Sequence, residues 1–328
     1  MTKHLKIAAP VAIAALTLSA GITLAADVKW DMPMAYSASN YHSENGAQFA
    51  KEVTEASGGK LEIVTHPGGS LFKGGEIFRA VRTGQAPIGE RLISALGNED
   101  ALFEIDSLPF LATSFADAKK LYDATKPELQ KVLADKGLTL LYTVPWPPQG
   151  LYAKKEVTAA SDMKGVTFRA YNAATSRLAE LMGAVPTKIE AAELSQAFAT
   201  GAVESMISSG STGYDRKLWE HASHWYNIQA WLPKNMVIVN NEAWAKLDEA
   251  TQKVVMEKAA AAEARGWAKA EELANWYVEE LAKNGMTVGP AGDQLKADFA
   301  KIGETMTTEW LAKAGDTGKA AVDAYKAQ

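Results

Sequence analysis

The segment DMKGVTFRAYN, residues 162–172, places an arginine at the end of a predicted strand and directly before a predicted helix. In α/β proteins, ligands bind in the crevice beside the carboxyl ends of the strands. The guanidinium group of Arg169 can donate two parallel hydrogen bonds to a carboxylate. Spacing alone favours a different interpretation, an arginine on the surface of an edge strand. Arg169 is therefore a candidate anion ligand that needs further support.

Strand and helix patterns alternate upstream of this segment, which is typical of α/β layers. The predicted strands lie at 28–32, 61–65, 86–89 and 138–144. The predicted helices lie at 43–56, at 74–83 and at 115–136, the last as a pair broken at Pro127. The proline cluster PWPP at 145–148 ends this first series and is a candidate crossover between lobes.

The alternation restarts after the proline cluster, so a second domain is predicted to begin near residue 148. Its predicted strands lie at 151–154, at 166–170, near Val185 and at 203–208, with helices at 173–182 and 191–200. A long helical pattern follows from Asp248 to Lys283, about 36 residues or roughly 54 Å at 1.5 Å per residue. Two helices that meet at Gly266 are the alternative.

The N-terminal residues have the features of a secretory signal. Lys3 and Lys6 precede an apolar segment at 7–24, and small residues at 25–26 offer a cleavage site. The alternative is an N-terminal membrane anchor, because the apolar segment approaches the length of a bilayer crossing. The chain has no cysteine, which excludes disulfides and a lipid anchor after the apolar segment. We expect residues 1–26 to be removed and the product to be a free periplasmic protein.

Charge and motif content exclude several classes of function. The formal net charge is -5 with a pI near 5.7, which does not favour nucleic acid or anionic lipid as a partner. No serine elbow, dinucleotide fingerprint or thiol nucleophile is present in the sequence. We expect no enzyme activity, no cofactor and no metal. The alternative from another class is a periplasmic metal-dependent hydrolase that uses His221 and His224, which have helical i, i+3 spacing.

Several motifs together identify a family. D-M-K-G-x-x-x-R ends at Arg169, and Pro186, an A-x-E-L-x-Q-A-F-A-T-G segment ending at Gly201 and V-E-S-M-I at 203–207 follow it. With an export signal and two α/β halves, the chain resembles the DctP-like solute-binding subunit of tripartite ATP-independent periplasmic (TRAP) transporters. The resemblance covers essentially the whole mature chain. In that family the arginine of this strand binds the substrate carboxylate, and Arg169 stands at the matching position.

The resemblance implies an α/β fold: a two-lobed periplasmic-binding-protein clamshell with mixed sheets and a long helix across both lobes. The expected lobes are 27–147 plus 234–274, and 148–233 plus 275–328. The implied function is capture of an organic acid between the lobes, followed by delivery to a sodium-coupled TRAP permease in the membrane. The alternative partner is an ATP-driven transporter, whose binding proteins close on their ligands in the same way.

Arg169 cannot supply the affinity alone, because a charge-assisted pair contributes roughly 1.5 to 3 kcal/mol and micromolar binding needs about 8 kcal/mol. Enclosure between the lobes must supply the rest. Candidate wall residues follow predicted strands or lie on the proline crossover. They are Tyr36, Asn40, Glu90, Arg91, Trp146, Gln149, Asn172, Ser208, Ser209, Tyr214 and the segment from Trp231 to Asn235.

Several of these residues have a purely structural alternative. Trp146 can be hinge packing, Trp231 can be core, and Glu90 can pair with Arg91 or Arg169. Trp219, Trp225 and Tyr226 are expected to pack within the second lobe, and Trp244, Trp267 and Trp276, taken with the long helix, are expected to be core.

The substrate class depends on which groups accompany Arg169. Trp146, Trp231 and Tyr214 favour a monocarboxylate with an apolar or aromatic body, which is the preferred prediction. A second cation at Arg91 suits a dicarboxylate instead. Glu90, Asn172 and the serines suit a hydroxylated or sugar acid, because hydroxyl groups need both donors and acceptors.

Overall fold

The computed structural model describes residues 27–327, so the predicted signal sequence at 1–26 lies outside the described residues. Most strands are short. In chain order they are β1 (Val28–Pro33), β2 (Leu61–His66), β3 (Ile88–Leu92), β4 (Leu138–Pro145), β5 (Gln149–Ala153), β6 (Thr167–Ala170), β7 (Val185–Lys188), β8 (Ser205–Ser209), β9 (His224–Asn227), β10 (Lys234–Asn240) and β11 (Thr287–Pro290).

The helices differ more in length than the strands. They are α1 (Tyr41–Ala56), α2 (Ile77–Arg82), α3 (Phe115–Ala134), α4 (Ala173–Leu181), α5 (Leu194–Ala199), α6 (Gly210–Asp215), α7 (Asn241–Ala245), α8 (Glu249–Lys283) and α9 (Asp293–Lys326). Polar side chains accept backbone N–H groups at several helix starts, as N-caps do. Examples are Asn40, Ser114, Asn172, Ser209 and Asp248.

Three sheets organise the molecule into two lobes. The first lobe contains a parallel pair, β1-β2, and an antiparallel sheet in the order β3-β10-β4. The second lobe contains a mixed sheet in the order β11-β9-β5-β8-β6-β7. Strands adjacent in space are thus distant in sequence, as β10 between β3 and β4 illustrates. This arrangement confirms the predicted α/β class with mixed sheets.

Each lobe has its own apolar core, and a third cluster joins them. Phe78, Phe103 and Met236 are buried together in the first lobe, whereas Tyr152 and Phe198 are buried together in the second. The largest cluster runs across both lobes, where α8 and the ends of several strands meet. The two lobes are therefore packed against each other along this cluster.

The long helix α8 is continuous through Gly266, so the single-helix prediction is confirmed. Its first half packs on α1 and β4, and its second half packs on α6 and β11. At 35 residues it is about 52 Å long at 1.5 Å per residue, enough to cross both lobes. Gly266 lies against β4, where a Cβ atom would overlap Val144.

The helix prediction at 115–136 is wrong about Pro127, because α3 runs through this proline without a break. Proline in a helix interior costs roughly 3 kcal/mol. Buried Leu121, Leu129 and Leu133 continue one apolar face on both sides of it. Packing of that face against the first lobe outweighs the local cost.

Other boundaries and burials also differ from the sequence-based expectations. The strand expected at 86–89 begins at Ile88 and continues to Leu92, so Glu90 and Arg91 lie within it and not on a loop. Trp244 lies on α7, ahead of the long helix, and Trp276 is 37% exposed, so it is not a core residue. Helix α9 was not predicted, and it is interrupted by a non-helical Gly315.

None of the helices between residues 27 and 327 combines the length and the apolar character that a bilayer crossing requires.

Candidate ligand-binding site

A cavity lies between the two lobes, with about 500 Å³ of empty space that is partly open to solvent. Its lining includes many of the residues that the sequence placed after strands or on the proline crossover. These are Tyr36, Arg91, Trp146, Gln149, Arg169, Ser208 and Ser209. Further lining residues come from both lobes: Ala35, Leu92, Tyr171, Glu190, Ala191, Thr212 and Pro233.

Arg169 is the central cation of this cavity. It lies in β6, whose parallel neighbours are β7 and β8, and it is only 4% exposed. Its Nε donates a hydrogen bond of 2.9 Å to the Ile189 carbonyl, and its guanidinium lies 5.1 Å from the Tyr171 ring centroid. Within residues 27–327 the two terminal nitrogens have no hydrogen-bond partner. They are left to donate to a carboxylate.

Burial lowers the pKa of the Arg169 guanidinium, because a dry environment disfavours the charged form. An arginine nevertheless stays protonated in proteins. The desolvation that lowers the pKa also strengthens the attraction between the guanidinium and an anion that enters the cavity. Arg169 is thus a buried positive charge in need of a counter-ion.

A second guanidinium in the cavity already has a counter-ion. Arg91 on β3 has its Nη1 3.4 Å from Oε2 of Glu190, which follows β7 in the opposite lobe. Arg91 is buried, whereas the Glu190 side chain is 31% exposed. The pair crosses the cleft, so it exists only when the two lobes are close together.

Aromatic rings form one wall of the cavity. Trp146 is buried on the proline crossover, and the Tyr36 ring meets it edge-on at 4.7 Å between centroids. The Trp146 Nε1 donates to Oδ1 of Asn235 at 2.9 Å, which fixes the ring plane. Burial raises the pKa of the Tyr36 hydroxyl, so this group is a neutral phenol that can both donate and accept.

Hydroxyl and amide groups form the other wall. Gln149 donates from Nε2 to the Pro147 carbonyl at 2.8 Å and accepts at Oε1 from the Tyr171 hydroxyl at 3.2 Å. Ser208 and Ser209 end β8, and the Ser209 Oγ accepts from the Thr212 backbone N–H at 3.2 Å. Such groups can complement both donors and acceptors on a ligand.

Two predicted wall residues, Asn40 and Asn172, are not in the lining and join the lobes instead. Asn172 caps α4, and its Nδ2 donates to Ser94 Oγ at 3.0 Å in the first lobe. Asn40 caps α1, and its Nδ2 donates to Asp215 Oδ2 at 2.6 Å in the second lobe. Burial raises the pKa of Asp215 to about 6, and the Asn40 hydrogen bond partly offsets this rise.

Glu90 and Asn235 were predicted to contact the ligand. They lie behind the aromatic wall and do not line the cavity. Successive residues of a strand point to opposite faces, so Glu90 points away from the cavity that Arg91 lines. Glu90 Oε1 accepts from Asn235 Nδ2 at 3.0 Å, and Nδ1 of buried His42 lies 3.5 Å from the same oxygen. Burial lowers the pKa of His42.

Trp231 and Tyr214 also lie outside the lining. Trp231 is fully buried and its Nε1 donates to the Tyr171 hydroxyl at 2.9 Å, so it is a core residue that supports a lining residue. The Tyr214 ring packs on Trp276 of α8, with 4.8 Å between the ring centroids. The rule that selected them, proximity to strand ends in sequence, does not tell which way a side chain points.

Some lining residues were missed by the sequence reasoning. Tyr171 and Thr212 each lie within four residues of a predicted wall residue, and Glu190 lies two residues after the end of β7. The same strand-end rule applied to the strand near Val185 would have selected Glu190. Ala35 and Leu92 carry no chemical signal in the sequence, whereas Pro233 lies within the predicted segment from Trp231 to Asn235.

The two histidines of the hydrolase alternative lie apart from this cavity. His221 ends a short 3-10 turn, and His224 begins β9, where its Nδ1 lies 2.8 Å from Ser223 Oγ. Across residues 27–327, no group of three or more acidic, histidine or cysteine side chains is arranged to hold a metal ion.

Known proteins with a similar sequence or fold share this architecture. A TRAP solute-binding protein from a marine metagenome, specific for pyroglutamate and crystallised with co-purified pyroglutamate, is 55% identical. The match covers 92% of this chain and 99% of that one, with a TM-score of 0.90. DctP6 of Bordetella pertussis, an extracytoplasmic solute receptor that binds pyroglutamic acid, is 50% identical over 92% of this chain and 100% of its own, with a TM-score of 0.90.

A curated relative is more distant. A solute-binding protein of Albidiferax ferrireducens is 29% identical over 178 residues, which is 53% of this chain and 52% of the relative. The match thus spans about half of that relative's length.

The family of this chain is shown by a family model that matches most of its length. The family model DctP, described as bacterial extracellular solute-binding protein, family 7, matches residues 34–313. This range includes both lobes and every lining residue of the cavity. Members of the family are solute-binding proteins and not enzymes. The chain therefore belongs to the DctP family and is a TRAP solute-binding protein.

Proposed function

We propose that this chain binds pyroglutamate in the cavity between its lobes, with the carboxylate on Arg169. The observation that carries the proposal is the charge inventory of the cavity. Arg91 is paired with Glu190, whereas Arg169, the other arginine of the lining, has no carboxylate partner among residues 27–327. One such cation matches a ligand with one negative charge, which supports the predicted monocarboxylate over a dicarboxylate.

The remaining surface of the cavity supports a small ring with polar edges. Pyroglutamate is a five-membered lactam with one carboxylate, one ring N–H donor, one ring carbonyl acceptor and two methylene groups. Trp146 and Tyr36 offer apolar surface to the methylenes, and Gln149 and Ser208 offer donors and acceptors to the lactam. The pyroglutamate named for the relatives at 55% and 50% identity supports the same ligand.

The alternatives for the ligand have less support. A sugar acid was expected to use Glu90, Asn172 and the serines. Ser208 and Ser209 line the cavity, but Glu90 points behind the aromatic wall and Asn172 bonds across the lobes. A dicarboxylate was expected to use Arg91, which Glu190 already neutralises. The monocarboxylate prediction depends on neither Glu90 nor Arg91, but Trp231 and Tyr214, two of the three aromatic residues that favoured an apolar or aromatic body, lie outside the lining.

Binding would be coupled to closure of the lobes. We infer lobe boundaries of 27–147 plus 234–274 and of 148–233 plus 275–328, with crossovers at the proline cluster, before β10 and within α8. The end of α9 adds a further connection, because Trp310 and Val322 pack with first-lobe Leu102 and Leu121. A ligand that touches both lobes stabilises the closed state by its contacts there.

The cellular role follows from the family. We propose that residues 1–26 direct export to the periplasm and that the closed, loaded protein delivers its ligand to a sodium-coupled TRAP permease. Uptake of labelled pyroglutamate into proteoliposomes that contain the cognate permease tests this role. It should require this protein and a sodium gradient, and uptake driven by ATP hydrolysis would instead support the ATP-driven alternative.

The ligand assignment is tested by calorimetric titration of the purified protein that begins at residue 27. Pyroglutamate is expected to bind at one site with a dissociation constant of about 1 µM or lower, equivalent to about 8 kcal/mol or more. Glutarate and glucuronate, as a dicarboxylate and a sugar acid, should bind at least 100-fold more weakly. Preference for either of these, or no response to pyroglutamate, would contradict the assignment.

A further inference from the structure

We infer that Glu190 determines the charge specificity of the cavity by neutralising Arg91. This inference rests on the proposed function, in which a ligand of one negative charge pairs with Arg169. The role of Glu190 is then to exclude dicarboxylates. Without the Glu190 carboxylate, the cavity would contain two cations without a counter-ion and would accept a ligand with two negative charges.

The position of Glu190 in the chain explains how one short segment can act on both arginines. The Ile189 carbonyl accepts the Nε hydrogen of Arg169 at 2.9 Å, and the adjacent Glu190 carboxylate lies 3.4 Å from Arg91 Nη1. The segment after β7 therefore orients the Arg169 guanidinium without neutralising it, and it neutralises the Arg91 guanidinium. Both guanidinium groups line the same cavity, where little water screens them.

Other charged groups near the cavity, such as Glu90, Lys234, Asp106 and Arg216, lie outside its lining. Glu90 lies behind the aromatic wall and accepts from Asn235. The buried Lys234 amine lies 3.1 Å from Asp106 Oδ2, so that pair is internally neutral. Among the charged groups that line the cavity within residues 27–327, Arg91, Arg169 and Glu190 give a net charge of +1.

The geometry also gives a reason for specificity beyond charge counting. A dicarboxylate that reached Arg91 would have to displace Glu190 from it and leave that carboxylate beside the second carboxylate of the ligand. Like charges held close together in a poorly solvated site repel one another. Discrimination then arises from an unfavourable contact with the wrong ligand, which is a common basis of specificity.

The test compares Glu190→Gln with Glu193→Gln. The first variant removes the carboxylate from Arg91 while retaining the side-chain shape. The second removes an equal charge from an exposed residue at the same cleft entrance, one that has no contact with Arg91. Pyroglutamate and glutarate are each titrated calorimetrically into the wild type and both variants at pH 7.5, and thermal melts confirm that each variant is folded.

Glu190→Gln is expected to raise the affinity for glutarate by about ten-fold or more, the effect of one added charge-assisted hydrogen bond. Glu193→Gln should leave the glutarate affinity unchanged. The gain should disappear in the double variant Glu190→Gln/Arg91→Gln, because it requires the guanidinium that the first substitution releases.

An unchanged or weaker glutarate affinity in Glu190→Gln would overturn the inference, and so would a gain that survives replacement of Arg91. Failure of the proposed function has a different signature, the lack of pyroglutamate binding by the wild type. The glutarate affinities are compared between the variant and the wild type. The comparison therefore tests the role of Glu190 independently of whether the wild type binds pyroglutamate.

Discussion

At Arg169 a single backbone acceptor converts a flexible side chain into an oriented one. The Nε hydrogen bond to Ile189 fixes one edge of the guanidinium plane, and the two terminal nitrogens of this cavity-lining residue have no partner among residues 27–327. Fewer rotamers then remain to be lost when a carboxylate binds, which lowers the entropic cost of association. Only arginine can make this arrangement, because its guanidinium has an Nε donor for the backbone and two terminal nitrogens for the ligand in one plane.

Replacement of Arg169 by lysine is therefore expected to weaken pyroglutamate binding by about ten-fold or more, and Arg169→Ala by about 100-fold. An ammonium group keeps the charge but can neither donate two parallel hydrogen bonds nor retain the Nε contact. Calorimetry gives the affinities, and the shift of the melting temperature with ligand gives an independent measure. Arg79→Lys, on the exposed face of α2, is the matched control. Equal affinities of the wild type and Arg169→Lys for pyroglutamate would show that Arg169 does not bind the carboxylate.

At the scale of elements, the long helix α8 depends on close backbone approach. Gly266 lies where α8 crosses β4, and an added Cβ atom would overlap Val144 and lie 3.0 Å from Asn45 Nδ2. Glycine is normally the poorer helix former by about 1 kcal/mol relative to alanine. The helix accepts this cost because a larger residue would separate it from the first lobe.

Gly266→Ala is accordingly expected to destabilise the protein by about 1–3 kcal/mol, because overpacking against a rigid strand exceeds the gain in helix propensity. The free energy of unfolding from urea titration measures the effect. Gly46→Ala in α1 is a matched comparison, since the atom nearest to its added Cβ is the flexible end of Met34, which can move. A stabilised Gly266→Ala, or a larger loss in Gly46→Ala, would contradict this account of the crossing.

At the scale of the whole molecule, polar contacts between the lobes surround the cavity. Asn172 joins Ser94, and Asn40 joins Asp215 across the cleft. Arg91 and Glu190 form a third connection. Because these contacts link separate lobes, they contribute to the closed state and would be exchanged for water when the cleft opens.

Asp215 gives this closed state a dependence on pH. Burial raises its pKa from 3.8 to about 6 in the folded protein, with Arg216 and Glu44 as its charged neighbours. A raised carboxyl pKa means that the folded state binds protons more tightly than the unfolded state. The contribution of Asp215 to stability is therefore most favourable below pH 4 and is lost as the pH rises through about 6.

Asp215→Asn should remove this dependence, because the amide accepts the Asn40 hydrogen bond without becoming charged. Its free energy of unfolding is expected to exceed that of the wild type by about 1–3 kcal/mol at pH 7.5, with the difference shrinking as the pH falls to 4. Urea titrations at pH 4, 5, 6 and 7.5 measure it, and Asp316→Asn at an exposed position is the control. A difference that is the same at every pH would show that Asp215 is not buried as described.

Local sequence patterns determined the order of most elements in both lobes. The continuous α8, the strand that ends near Arg169 and the helix that Asn172 caps all follow from local rules. Those rules report backbone preference and burial periodicity within one segment. They fail where packing outweighs a local cost, as at Pro127, and they did not reveal α9.

The partners of each polar side chain were decided only by the tertiary structure. Asn40, Asn172 and Gln149 look equivalent in the sequence, as polar residues beside strand ends, yet only Gln149 lines the cavity. The pairing of Arg91 with Glu190 joins residues 99 positions apart. The sequence alone determined that this chain forms two α/β halves with an arginine at a strand end. Which charges in the cleft are cancelled depends on how the two lobes meet, because electrostatic pairing depends on distance in space and not on distance along the chain.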